Sequence, residues 1–539
     1  MFWKMKAERT VTTDVGGVFE GAPTKPADPV VKNEINSGCP GGGGVSDGIC
    51  KPFTNDHRST WMSTYEGCRY LRIDDAILPG THNAGMDKEA AYGNSLETCQ
   101  DVSPYKQLMT GVRVLDLRVQ FSSANSPGDP QRFRIFHDLQ SGRTVEGDVL
   151  AAVLSFREHS PLEGNPKQEI IILDFHGFKD FNDAAHRELA EIIKGKLGAI
   201  IIDPWMSALT INQIWQFGDF GVVVTYNADP RDSRFWYRLN QRWIGRNTPS
   251  TDELKDFMNE VADEVKPYGE LRSIQCAKYN KVFFTPDDFS DKIREWFASE
   301  YSASYIQDFY VIYTDWSLRQ RLIDNCIHAN VKRLPNRAPY KDCYVDQSDA
   351  ELKIESGHRS VNIRIVSGHG TLVILLPQTA DDGATIVIKS AATQTSEVII
   401  GNTGSPADRV PMERGEVVAF NYTSSTQKWE MLHKTSVPIP PPLPAPQNFK
   451  VDNENTRSID MSWDPVPGTS WYSVWHQVPL ALTPRHVGNT SQTLYRESLG
   501  YLPPLDRGAR WVKAVDENGT QSKASNLAYY DRKSRFRFW

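Results

Sequence analysis

Between about residue 56 and residue 335, short apolar runs alternate with amphipathic stretches, and this rhythm limits the fold more than any other feature of the chain. The runs Val112–Val119, Phe133–His137, Glu169–Phe175, Gly221–Tyr226 and Phe309–Asp315 are each too short and too apolar for a surface helix and read as buried strands. Between them, 182–197 and 251–265 carry apolar residues at helical spacing. Strands alternating with helices over this length imply a parallel α/β barrel spanning 56–340.

A chain of 539 residues exceeds what one hydrophobic core organises, so further domains are expected. After about 356, Thr, Ser, Val and Gly replace the helix formers, and alternation in 371–376 and 384–389 marks an all-β module over 356–436. A proline-rich stretch, 437–446, reads as a stiff linker, and 447–533 returns to short strands with turn signals. Residues 1–55 show no sustained period. Their glycine run Gly41–Gly44 lacks the Lys-Ser/Thr of a phosphate loop and reads as a flexible extension.

Sixty basic against 67 acidic residues leave a net charge of −7, which offers no electrostatic footprint for nucleic acid. No apolar run reaches the roughly 20 residues of a membrane-spanning helix, and the start lacks the apolar stretch of a secretory signal. Release by a non-classical route is therefore the expectation for localisation. The seven cysteines, Cys39, Cys50, Cys68, Cys99, Cys276, Cys326 and Cys343, form no CxxC pair, which excludes a zinc ribbon. Cys68 and Cys99 flank the first motif described below and read either as buried free thiols or as a staple in an oxidising compartment.

Chemistry concentrates at the ends of the predicted strands. Pro79-Gly80-Thr81-His82 sets a histidine in a tight turn just past an apolar run. Next comes 111–118, in which Asp116 and Arg118 share one face because strand side chains alternate, and then His137 closes a second run. Charges pointing into a barrel mouth require a purpose. Asp174 and His176 alternate on one face of a later strand and are read with Tyr226 as substrate-binding, although Asp174 alone could cap the following helix. Asp315 ends the last strand.

These motifs, in this order, resemble the catalytic X domain of the phosphatidylinositol-specific phospholipases C over roughly 60–330. The family signatures look like Pro-Gly-Thr-His, Gly-x-Arg-x-x-Asp-x-Arg and a histidine after a short apolar strand. The resemblance implies a distorted TIM barrel with His82 as general base, His137 as general acid, Arg118 neutralising the phosphate oxygens, and Asp315 orienting His82. Arg118 is of the bacterial, metal-free type, since the calcium-dependent eukaryotic enzymes carry an acid there. Asn83 is instead of the eukaryotic type, because bacterial relatives have at that position an Asp that assists the general acid. No cofactor is expected, with calcium at Asn83 and Asp116 as the lesser alternative.

The stretch 358–435 resembles small β modules of phage tail fibres and bacterial surface proteins, and 445–533 is similar to a fibronectin type III sandwich with Trp463 in its core. The expected architecture is therefore a multidomain chain: an α/β distorted TIM barrel, a small β module and a fibronectin type III-like sandwich. Trp471 and Trp475 read as packing residues rather than sugar platforms. The expected partner is a phospholipid headgroup, by default phosphatidylinositol, or another phosphodiester at a peripheral membrane surface, with a carbohydrate or protein partner assigned to the β units. The basic, aromatic tail 534–539 is a candidate for docking at lipid. Two alternatives stand beside this reading: an inactive barrel that binds a surface or partner, and a metal-dependent glycerophosphodiester phosphodiesterase.

Overall fold

The computed structural model describes residues 55–530 except 92–95, 162–163, 300–302, 338–339, 346–350, 366–371, 393–394, 400–408, 439–442, 455–457, 478–484, 499–507 and 517–521. The extension before residue 55, with Cys39, Cys50 and Gly41–Gly44, and the tail 531–539 lie outside the described residues.

The α/β part is built on a nine-stranded sheet. Its strands are β1 (Leu78–Thr81), β2 (Val114–Phe121), β3 (Phe133–His137), β4 (Leu139–Thr144), β5 (Ile171–Lys179), β6 (Val222–Tyr226), β7 (Asn240–Arg242), β8 (Arg272–Cys276) and β9 (Val311–Thr314). Seven run parallel in the order β7-β8-β9-β1-β2-β5-β6. β2 outreaches β1, and its free end, Val119–Phe121, pairs antiparallel with β3, which carries β4.

The sheet curls into an open barrel. Among the described residues no ladder joins β6 to β7, and the seam is bridged only at Thr225 and Trp236. β7 is short and polar, Asn-Gln-Arg, and hydrogen-bonds as a strand to β8 alone. Apart from the half-buried β7, the parallel strands run through the core, as their apolar runs require; every residue of β6 and β8 is buried. Helix Asp183–Leu197 starts where the Asn182 side chain accepts from the Ala185 amide, and buries Ala185, Leu189, Ile193 and Leu197 along one stripe. Helix Thr251–Ala262 starts at a Ser250/Glu253 capping box.

The β module's five-stranded sheet is ordered Tyr340–Val345, Ser360–Ile365, Thr385–Ser390, Glu416–Thr423, Lys428–Ser436. Its first strand precedes the compositional change near 356. One face, with Val361, Ile363, Ile386, Ile388, Val418 and Phe420, packs into the module's own core. The other face sends Val387, Val417 and Ala419 into the core of the α/β domain. Two-sided burial explains why Thr385–Ser390 is buried at every position. Gln213 seals the joint: its Oε1 accepts from the Thr385 hydroxyl at 2.7 Å, and its amide donates to the Val361 and Thr385 carbonyls at 3.4 Å. Tyr70 stacks on Tyr340 and Trp205 on His433, with centroids 3.5 and 4.4 Å apart.

The last part is a sandwich of three- and four-stranded antiparallel sheets. Trp463 sits in its core beside Phe449, Tyr472 and Val512, and Trp475 is buried against Ala509 and Trp511. Cys68, Cys99, Cys276, Cys326 and Cys343 are buried free thiols, so Cys68 and Cys99 form no staple. No helix among the described residues is long and apolar enough to cross a membrane.

Candidate active site

β1 ends in the turn that presents His82, and its glycine is fixed by packing. A Cβ on Gly80 would lie 2.6 Å from the Tyr313 ring, which crosses β1 from β9. His82 is buried, and its Nδ1 lies 2.8 Å from Asp315 Oδ1, one residue beyond β9. Asp315 is itself buried and aimed at this ring. A carboxylate there accepts from the Nδ1–H, which keeps the proton on Nδ1 and leaves Nε2 as the free base. Asn83, at φ 48°, donates from Nδ2 to that Nε2 at 3.1 Å, while its backbone amide donates to Asp116 Oδ2 at 3.0 Å. The Asn83 amide therefore serves His82 and not His137.

His137 closes β3 with its ring 6.2 Å from that of His82 and nearly perpendicular to it. Its Nδ1 lies 3.0 Å from the hydroxyl of Tyr279. Burial, and after it the positive charge of Arg118, pushes the His137 imidazole down to about 3, so the ring is neutral at ordinary pH. The β2–β5 register shifts between Leu117 and Arg118, where His176 is the extra residue on β5, and Gly177 opposite Arg118 leaves room for its stem, 3.0 Å from where a Cβ would stand. Its Nε is buried with no partner among the described residues.

Beneath Arg118 lies a polar floor. Asp116 Oδ1 pairs with His176 Nδ1 at 2.5 Å. Asp174 accepts from Thr225 Oγ1 at 2.7 Å, Gln241 Nε2 at 2.7 Å and Tyr313 Oη at 2.9 Å. Burial would raise Asp116, but the neighbouring His176, His82 and Arg118 hold it well below the usual carboxylate range. The same pairing overrides burial at His176 and raises it, whereas burial dominates at Asp174 and pushes it up. Asp116, Asp174 and His176 each place one ligand atom within 4.8 Å of the others. The cluster does not fit calcium, which needs six to eight oxygen ligands. Its carboxylates are occupied by Asn83, His176, Thr225, Gln241 and Tyr313, and the Arg118 cation stands beside it.

Of the residues singled out from the sequence, His82, Asn83, Asp116, Arg118, His137, Asp174, His176 and Asp315 converge on this one region. Tyr226 does not. Thr225 takes the inward position on β6, so Tyr226 points outward and hydrogen-bonds His186 of the covering helix at 2.9 Å. Strand alternation decides this, and once Thr225 is placed inward Tyr226 has no route to the pocket. The sequence reading missed Tyr279, Gln241 and Tyr313, and also Gln100, whose amide ties the His82 and Thr314 carbonyls at 2.8 and 2.9 Å. Tyr313 was within reach of the same alternation argument. The others come from loops or a polar edge strand with no motif.

Residues 358–432 match the family model of the β-sandwich domain of the metalloprotease StcE. No curated protein matches the chain. Among solved structures, the chain is similar to the F249X mutant of phosphatidylinositol-specific phospholipase C from Staphylococcus aureus. The identity is 11% and the TM-score 0.38, over 51% of this chain and 99% of that one. A second structure of that enzyme, concerned with modulation of its membrane binding, gives 11% identity and a TM-score of 0.35 over 51% and 97%. A Fn3-like protein from Clostridium thermocellum aligns at 18% identity and a TM-score of 0.14, over 17% of this chain and 99% of that one.

Proposed function

We propose that the chain is a metal-independent phosphodiesterase that cleaves a phospholipid by attack of a neighbouring headgroup hydroxyl, in the manner of the phosphatidylinositol-specific phospholipases C. The observation that carries this is the pair of imidazoles 6.2 Å apart, each held at Nδ1, beside a guanidinium whose Nε has no partner among the described residues. His82 Nε2 takes the proton of the attacking hydroxyl once that hydroxyl displaces the Asn83 amide. His137 protonates the leaving alcohol, and Arg118 binds the non-bridging phosphate oxygens. The negative diester offsets the charge of Arg118 and so raises His137 only when substrate is present. The saturated carboxylates of Asp116 and Asp174 weigh against the metal-dependent glycerophosphodiester alternative.

Lipid docking is assigned to the loop after β8, where Val282, Phe283 and Phe284 stand 74, 71 and 64% exposed, three consecutive apolar side chains three residues beyond Tyr279. Purified chain should hydrolyse phosphatidylinositol vesicles with chelator present, and His82→Ala or His137→Ala should each abolish nearly all turnover. Full turnover by either variant, or strict dependence on calcium, would overturn the assignment.

A further inference from the structure

Two buried imidazoles of one site are held by partners of opposite character. Asp315 can only accept, so His82 carries its proton on Nδ1 and keeps a bare Nε2, to which Asn83 donates. Tyr279 can donate. Burial, and after it the nearby Asp315 carboxylate, push its phenol far above its ordinary value, so it stays protonated, and among the described residues the only hydrogen-bond partner of its hydroxyl is His137. A buried O–H needs an acceptor, and the available one is the lone pair of His137 Nδ1. The proton of His137 must then sit on Nε2.

We propose that Tyr279 is a positioning residue that locks His137 in the Nε2–H tautomer, so that one imidazole of the site is set as acceptor and the other as donor. This rests on the phosphodiesterase reading above and gives that reading its missing part. Where bacterial relatives are expected to use an Asp after the first histidine to assist the acid, Asn83 is turned to His82, and the acid is held from β8's loop instead. Three contacts fix that loop. Tyr279 bridges Pro286, its amide donates to the Asn247 carbonyl at 2.7 Å, and Lys278 beside it pairs with Asp287. A phenol also differs from a carboxylate in being able to reverse its bond. When the diester charges His137, its new Nδ1–H donates and the Tyr279 oxygen accepts, so the ring keeps its place in both protonation states. The charged and titratable groups around His137 are Arg118, His82, Asp116 and His176, and none of them offers Nδ1 such a reversible partner.

Nitrogen-15 NMR of the full chain with labelled histidines tests the tautomer directly. His137 in the substrate-free chain should show a bare Nδ1 and a protonated Nε2, and Tyr279→Phe should convert it to a tautomer mixture. A protonated Nδ1, or a tautomer unchanged by Tyr279→Phe, overturns the proposal whatever the enzyme does. Kinetics provide the second readout, using the p-nitrophenyl and n-butyl phosphodiesters of inositol. The butyl alcohol needs a proton to leave and p-nitrophenolate does not. Tyr279→Phe should therefore cost about 10²-fold on the butyl diester and far less on the nitrophenyl diester, with KM little changed. Equal losses on both would reduce Tyr279 to a structural role. A wild-type chain inert on both would overturn the phosphodiesterase reading, leaving the NMR to decide the tautomer.

Discussion

Replacing Asp315 by Asn changes one charge and almost no volume. During the attack, His82 becomes an imidazolium 2.8 Å from a buried carboxylate. Taking about 4 Å between charge centres and an effective dielectric constant near 20, that contact is worth about 4 kcal/mol. About 1.4 kcal/mol corresponds to tenfold in rate, so Asp315→Asn should lower kcat about 10³-fold through lost charge alone. A second loss adds to it. The Asn amide can donate to Nδ1 and drive the imidazole proton to Nε2, which removes the base in the ground state. Asp315→Ala removes the charge but leaves the tautomer free, so its kcat should lie above that of Asp315→Asn. The assay is kcat on a soluble inositol phosphodiester, with thermal unfolding run in parallel to confirm that each variant folds. Asp315→Asn turnover within tenfold of the wild type, in a folded chain, would refute the electrostatic argument.

Gly80→Ala pushes a methyl against the Tyr313 ring at 2.6 Å; it should cost about 1–3 kcal/mol of stability and, by releasing Tyr313 from Asp174, lower turnover, both measurable by urea titration and kinetics. Gln213→Ala leaves the Thr385 hydroxyl and the Thr210 amide without their shared acceptor and should cost about 3 kcal/mol, read as a lower midpoint of one transition common to the α/β domain and the β module. His176 has a raised value in the folded chain, so its contribution is full below about pH 6.5 and is lost as pH rises through the folded value. Thermal scans from about pH 6.5 upward should show the wild type losing stability and His176→Gln losing less, and parallel curves would refute the pairing.

The candidate catalytic residues were legible because each one sits where strand geometry alone fixes its direction. His82 and His137 follow short apolar runs, and Asp116 and Arg118 are two apart on a strand. Tyr226 failed on the same rule, since Thr225 holds the inward place and hydrogen-bonds Asp174. Whether the barrel closes is not legible for a different reason. Periodicity reports that a segment is a buried strand, but closure depends on the pairing of Asn240–Arg242, a segment too short and polar to register as a strand in sequence. The docked β module was read as alternating where it is buried on both faces, because Thr385 and Lys389 are polar residues buried against the α/β domain and look solvent-facing in sequence.

What the sequence could not supply is the second layer of the site, and the physical reason is general. A catalytic histidine is constrained by its strand, whereas the group that holds its far nitrogen needs only to arrive within about 3 Å from any direction, so no spacing encodes it. Asp315 was legible because it ends a strand, at the place where the resemblance implies the carboxylate that orients the first histidine. Tyr279 was not, because it leaves β8 by a loop whose register with β3 is set by tertiary packing across the barrel mouth. Such partners nevertheless decide the chemistry more than the histidines do. Two imidazoles are chemically identical until Asp315 accepts from one and Tyr279 donates to the other, and only that asymmetry separates base from acid. Removing the characters of the two partners together tests this. In Tyr279→Phe, His137 is free to adopt either tautomer, and adding Asp315→Asn should remove the remaining distinction between the rings. Single losses that multiply in the double variant would show the two holds acting independently. A double variant no worse than Asp315→Asn alone would show that, once the base is lost, the acid has nothing left to complete.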